Sequence, residues 1–368
     1  MSNKDDFLAR LNPKLAKAIQ TAEEVETIRY PLASIGLTHA LGGGIGAGRV
    51  GTIFGNQSAG KSMLTLQSIG ELQKAGLVCA FADVEGTYDK EFGAKLGINN
   101  SELFLTRSKS SGRLSDTIIP WIEAELDLLI IDSISDILPE SFVDKDGTIK
   151  DADDRKQIGA QAKAITNMIN AIHYSNKKTA VLLLSQTTTK METWGTVQVP
   201  HGGNKVLFGS SQIVKLQSSN TYDKAKKRSI PQGNKMVEQL IGRPVEAKVE
   251  KNKLGNQSTT AKYNIYYAGD HIGIDQVDEM LTLGVQFGTV KQSGSWFSYG
   301  EDVSAQGQDK LAAIVRKDHD LRLQIKSDLE QAMNEKPAEA EAEEETVDLM
   351  EITMSDEPSL KLATKKEM

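Results

Sequence analysis

Short apolar runs alternate with stretches of helical periodicity over the first half of the chain. RVGTIF precedes a glycine-rich turn. LVCAFADVE, from Leu77 to Glu85, has the length and composition of a buried parallel strand and ends in carboxylates. DLLIIDS ends at Asp132 and Ser133, and TAVLLLSQ ends at Gln186. Between these runs, MLTLQSIGELQKAG and the stretches near Ser115 to Glu125 and Gly159 to Ser175 carry helical spacing, the first of them stopping at Gly76. This alternation predicts an α/β domain with a mostly parallel, doubly wound sheet and helices on both faces. Polar residues close the strands, at the edge where such sheets bind ligands.

The flanks are patterned differently. Phe7, Leu8, Leu11, Leu15, Ala18 and Ile19 recur at near-helical spacing, which predicts an amphipathic helix whose apolar face needs a partner. Two long irregular segments, Pro139 to Lys156 and Thr187 to Asn204, interrupt the regular order, and long loops of this kind are usually functional or disordered. From about Asp270 the chain reads as a small α+β module. A polar helix follows from Gln308 to about Asn334, and then an acidic tail. The expected division is an N-terminal helix and linker over 1–32, a core over 33–268, a small C-terminal domain over 269–334, and a disordered tail over 335–368.

Composition adjusts this picture only slightly. At 368 residues the chain exceeds a usual single domain. No apolar run approaches the roughly 20 residues that span a bilayer, and the N-terminus has no signal-peptide stretch, so the expectation is a cytoplasmic protein with no membrane partner. The single cysteine, Cys79, allows no internal disulfide. The net charge of −7 argues against a nucleic-acid partner at first sight, but much of the acid sits in EKPAEAEAEEETVDLMEITMSDEP. KAKKR, from Lys224 to Arg228, and KVEKNK, from Lys248 to Lys253, are basic; such runs are more often solvated surface than binding sites.

GNQSAGKS, the run Gly55, Asn56, Gln57, Ser58, Ala59, Gly60, Lys61 and Ser62, fits G-x-x-x-x-G-K-[ST] and lies between an expected strand and a helix opening at Met63. Glycines let the backbone turn its N–H groups toward phosphate oxygens at a helix N-terminus. Lys61 then reaches the β- and γ-phosphates of ATP, and the Ser62 hydroxyl ligates Mg²⁺. Asp132, ending an apolar strand, is placed to hold the same ion, although alone it would read as an ordinary strand-end turn. Asp83 and Glu85 sit two apart on one face. Either could activate water, and Glu85 is favoured. Gln186, at the next strand tip, is placed to sense a γ-phosphate.

The ordered set GRVGTIFGNQSAGKS, CAFADVEGTYDKEFGAKLGI, LLIIDS, LLLSQ, HGGNKVLFGSS, VEKNK and GSWFSYG resembles the RecA recombinases, the bacterial and bacteriophage strand-exchange ATPases, from roughly Ala33 to Gly307. The first and third motifs suit almost any P-loop ATPase; VEKNK and GSWFSYG are far more specific. The resemblance implies that Glu85 activates water and Gln186 couples nucleotide state to DNA affinity. It places Asp89 and Phe92 at the adenine, Phe92 standing where most of the family has tyrosine. Lys251 and Lys253 fall at the paired lysines that reach a neighbouring subunit's γ-phosphate. It implies two DNA-binding segments, here Ser141 to Gln157 and Thr187 to Gly203, with Lys190, Trp194, Gly202 and Gly203 in the second and Asn204, also a DNA-binding candidate, directly after it. The first is rather acidic, with Arg155 among its few cations and Ile149 available for insertion between bases.

The N-terminal helix resembles the family's polymerisation element, and Phe208 matches an aromatic at the subunit interface. The acidic tail resembles an autoinhibitory tail, with a plain solvated tail as the competing view. The expected function is a DNA-dependent ATPase that polymerises on single-stranded DNA with ATP and Mg²⁺, pairs it with homologous duplex and exchanges strands, assisted by single-strand-binding or loading proteins. The rivals are a RecA-fold hexameric helicase and a non-catalytic RecA-like mediator.

Overall fold

The computed structural model describes residues 7, 9–12, 27–144, 148, 150, 159–192, 195–218, 226–232, 235–255, 259–269 and 271–335. Leu8, Leu15, Ala18 and Ile19 of the expected N-terminal helix, Arg155, Ile149 and Trp194 of the expected DNA-binding segments, and the tail from residue 336 lie outside the described residues.

A two-stranded ribbon, β1 (Arg29–Tyr30) with β2 (Ile45–Gly46), brackets the short helix α1 (Ile35–Ala40). Next comes the alternation expected from the sequence: β3 (Val50–Gly55), α2 (Lys61–Lys74), β4 (Cys79–Asp83), α3 (Lys90–Lys95), β5 (Phe104–Thr106), α4 (Ser111–Glu123), β6 (Leu128–Asp132), α5 (Ala160–Ser175) and β7 (Ala180–Glu192). The chain continues through β8 (Gly195–Pro200), α6 (Asn204–Gly209), β9 (Gln212–Ser218), β10 (Lys226–Gln232), β11 (Lys235–Asn252), β12 (Thr260–Tyr266) and β13 (Gly273–Ile274). The main sheet has the order β13-β12-β11-β9-β3-β7-β6-β4-β5. Neighbours are parallel from β9 to β5 and antiparallel from β9 to β13.

Strict alternation along the central strands explains why both sheet faces are covered. Cys79, Phe81, Leu128, Ile130, Leu182 and Leu184 enter the core beneath α2, while Ala80, Ala82, Leu129, Ile131, Val181 and Leu183 enter the core beneath α4 and α5. The helix near Ser115 begins earlier than its apolar spacing suggests, because the Ser110 hydroxyl caps it by accepting from the N–H of Arg113.

Two expectations are corrected. The segment from Thr187 to Asn204 is not irregular: β7 runs on past Gln186 and folds back as β8, pairing Thr187 with Pro200 through Glu192 with Gly195. These residues are largely exposed, so no apolar pattern announces a strand, and their backbone groups are satisfied by each other. The expected single helix from Gln308 is two, α8 (Gln308–Lys317) and α9 (His319–Glu335), separated by an extended Asp318 whose carboxylate accepts from the N–H of Leu321 at 3.0 Å.

α8 and α9 pack with α7 (Gln276–Phe287) and the antiparallel sheet β14 (Lys291–Ser293), β15 (Trp296–Tyr299) and β16 (Val303–Gln306) around a separate core that includes Met280, Leu281, Leu311, Val315, Ile325 and Leu329. This module is tied to the start of α1 at Glu279. Its carboxylate accepts from Ser34 Oγ (2.6 Å), Ile35 N (3.1 Å) and Gly36 N (3.0 Å). Burial pushes its pKa up to about 7, and the three donors pull the other way. Among the described residues no helix is long and apolar enough to cross a membrane.

Candidate nucleotide and strand-binding sites

The turn between β3 and α2 brings the glycine-rich loop to the C-terminal edge of the parallel strands. Gly60 has φ 95° and its missing Cβ would meet Ile265 Cδ1 at 3.0 Å; Ser58 also adopts a positive φ of 61°. Gly55 lies against the carbonyl of Leu216, leaving no room for a side chain. Lys61 Nζ folds back over the loop and donates to the carbonyls of Gly55 (2.9 Å) and Asn56 (3.0 Å). Burial lowers its pKa, opposed by Asp132 and Glu85.

Ser62 Oγ donates to Asp132 Oδ2 at 2.6 Å, so the two expected magnesium ligands already touch. Asp132 is 3% exposed at the end of β6, and its carboxyl is pushed up to about 6. Burial is the main cause, the charges of Glu85 and Asp83 add to it, and the Ser62 hydrogen bond and Lys61 oppose it. A buried carboxylate beside a hydroxyl is a donor set that a divalent cation would complete, with further oxygens from phosphates and water.

Sequence alone left two carboxylates as candidates for activating water; their partners separate them. Asp83 is buried and accepts from the N–H groups of Gly86, Thr87 and Tyr88 and from Arg107 Nε, so its oxygens are committed to the turn. Glu85 is half-buried and lines a cavity of about 300 Å³ with Gln57, Ser58, Ala59, Gly60, Lys61, Ser62, Met63, Asp132 and Gln186. Three further residues line this cavity that sequence reasoning missed: Arg243, Ile265 and Tyr267. Arg243 is registered opposite Ile265 on β11 and β12, and its guanidinium carbon lies 5.5 Å from the Tyr267 ring centroid. Nothing in the periodicity marks two antiparallel strands folding back beside the loop.

Gly55 and Asn56 lie behind the cavity lining, where their carbonyls hold Lys61, and four further candidates are not brought to the cavity. The Asp89 carboxylate caps α3, accepting from Phe92 N at 2.7 Å, and Phe92 packs against the core beneath α2. Lys251 Nζ donates to the carbonyls of Leu207 (2.6 Å) and Phe208 (3.5 Å), and the backbone N–H of Lys253 donates to Ser211 (2.9 Å). Phe208 is 73% exposed and so is no part of this subunit's core.

A second cavity, about 610 Å³, opens beside the first along β7. Phe142, Gly159 to Ala162, Thr188 to Lys190, Val199 to Asn204 and Leu207 line it, which gathers Lys190, Gly202, Gly203 and Asn204 in one groove. Gly202 and Gly203 have φ of 110° and 82°, and a Cβ on Gly202 would meet Ile134 and Ile165 at 3.3 and 3.4 Å.

A glycine-rich loop entering a helix at the edge of parallel strands, with Ser62 against a strand-end aspartate, defines a P-loop protein of the α/β class. Within it, residues 14–273 match the RecA N-terminal domain and residues 278–334 the RecA C-terminal domain. Protein RecA of Desulfovibrio desulfuricans is 31% identical over 317 residues, 84% of this chain and 82% of that one. Those of Bartonella henselae and Rickettsia massiliae are each 32% identical, over 84% and 82% of this chain and 84% and 82% of their own. The chain belongs to the RecA family.

Proposed function

We propose that this protein is a DNA-dependent ATPase that forms filaments on single-stranded DNA and catalyses homologous pairing and strand exchange. The observation that carries the reading is the adjacency of two cavities in a RecA-family chain, one lined by Lys61, Ser62, Glu85 and Asp132, the other by Lys190, Gly202, Gly203 and Asn204, with Gln186 at the edge of the first.

In this reading the loop amides and Lys61 bind the ATP phosphates. Ser62 and Asp132 would hold Mg²⁺, which would supply charge neutralisation at the transferring group. Glu85 orients and deprotonates the attacking water. Arg243 and Tyr267 border the nucleotide from β11 and β12. Lys190, with the backbone at Gly202, Gly203 and Asn204, holds DNA phosphates, so that sequence identity is tested by base pairing and not by side chains. Lys251 and Lys253, distant from their own subunit's cavity, act on the neighbour's γ-phosphate, and the exposed ring of Phe208 beside them packs at that boundary.

The test is phosphate release with and without single-stranded DNA, alongside joint-molecule formation between a circular single strand and homologous linear duplex. Stimulation by DNA together with pairing is expected. Absence of both would refute the proposal, and hydrolysis driving duplex unwinding from closed rings would favour a helicase.

A further inference from the structure

Four residues between the two cavities form a closed ring of hydrogen bonds. The backbone N–H of Gln186 donates to Ser135 Oγ at 3.1 Å. The Ser135 carbonyl accepts from Gln161 Nε2 at 2.8 Å. Gln161 Oε1 lies 3.3 Å from His201 Nε2, and the backbone N–H of His201 donates to the Gln186 carbonyl at 3.0 Å. Ser135 belongs to the 3-10 turn Ile134–Asp136, which follows Asp132 almost directly. Gln186 lines the first cavity, while Gln161 and His201 line the second.

The chemistry of the ring is directional. Gln161 Nε2 donates a second time, to the Ile137 carbonyl at 3.0 Å, so both amide hydrogens are committed and its oxygen faces the imidazole. Nε2 of His201 therefore donates to that oxygen, and Nδ1 lies 3.4 Å from Thr188 Oγ1 on β7. Gln161 stands in the first turn of α5, just beyond the 141–157 segment, and His201 stands near the end of the 187–203 segment. The ring thus clasps the two borders of the groove and anchors the clasp on Gln186, which lines the first cavity.

Resting on the function proposed above, we infer that Gln161 and His201 are positioning residues that transmit the nucleotide-dependent position of Gln186 to the strand-binding groove. They touch neither the reacting phosphate nor the attacking water. Two sites joined this way share one coupling free energy, so cutting the ring reduces the effect of nucleotide on DNA affinity without changing nucleotide affinity in the absence of DNA.

The experiment measures binding of the full chain to a fluorescent oligonucleotide by anisotropy, once with a non-hydrolysable ATP analogue and once with ADP, and takes the ratio of the two affinities. Gln161→Ala and His201→Ala cut the ring at different points and should each lower that ratio at least about fivefold, a typical coupling magnitude. His201→Gln, which restores an N–H toward Gln161, should recover it. Analogue affinity without DNA should be unchanged in all three. The inference is overturned if both alanine variants keep the wild-type ratio. It is equally overturned if they lose DNA affinity to the same extent with analogue and with ADP, since the side chains would then only contact the strand. A wild-type ratio of one would remove the proposed function itself, and this inference with it.

Discussion

Asp83 and Glu85 are neighbours in sequence with opposite employment, and their hydrogen bonds account for the difference. Asp83 holds three amides and Arg107, whereas Glu85 faces the cavity. Glu85→Gln should abolish phosphate release while leaving nucleotide-dependent DNA binding intact; a normal hydrolysis rate would mean another group activates the water. Asp132 makes a pH prediction. Its carboxyl titrates near 6 in the fold against an ordinary 3.8, so folding takes up a proton between those values and the stability contributed by this site falls as pH rises through that window. The cost is absent below about 4 and complete above about 6. Asp132→Asn should therefore raise the melting temperature of the nucleotide-free protein at pH 7, with a gain that shrinks as pH is lowered. In the wild type, magnesium-dependent nucleotide binding should weaken as pH drops through about 6, because the ion requires the carboxylate.

Between elements, the joint at Glu279 concentrates the attachment of α7 to α1 in one carboxylate. Glu279→Ala leaves the Ser34 hydroxyl and the Ile35 and Gly36 amides unsatisfied, two of these residues being buried, and should cost about 3 kcal/mol by denaturant unfolding. Glu279→Gln, which retains an acceptor, should cost clearly less. This joint was invisible in the sequence, since a glutamate in the first turn of a helix reads as a solvated end. What was legible were features with a local signature: apolar runs for β4, β6 and β7, the glycine-rich loop, and the strand-end positions of Glu85, Asp132 and Gln186. What was hidden depends on partners far away in the chain. The β7–β8 and β10–β11 ribbons carry few buried side chains, so no burial pattern announces them, and Arg243 and Tyr267 reach the cavity only through the pairing of β11 with β12. The break at Asp318 escaped notice because apolar spacing continues across it while the backbone does not.

At the scale of the whole molecule, the proposed catalytic set is divided. Glu85 lies in one cavity and Lys251 and Lys253 lie away from it, so in the proposed filament each active site draws on two subunits. Lys251→Ala and Glu85→Gln proteins should each be inactive alone, yet an equal mixture should regain up to about a quarter of wild-type ATPase, because in a head-to-tail assembly one interface in four then pairs an intact glutamate with an intact lysine. Failure of the mixture to hydrolyse ATP, with both variants still co-assembling on DNA, would place the lysines' action within a single subunit. The extension of β7 beyond the sheet gives such an assembly a mechanical character. From Gln186 to Glu192 the strand continues for six steps, about 20 Å at the rise of an extended chain, stiffened by β8 along its length. In the proposed filament it would serve as a lever arm based at Gln186, which lines the first cavity: a rotation of about 10° there would sweep the far tip through about 3.5 Å, the spacing of stacked bases along a DNA strand.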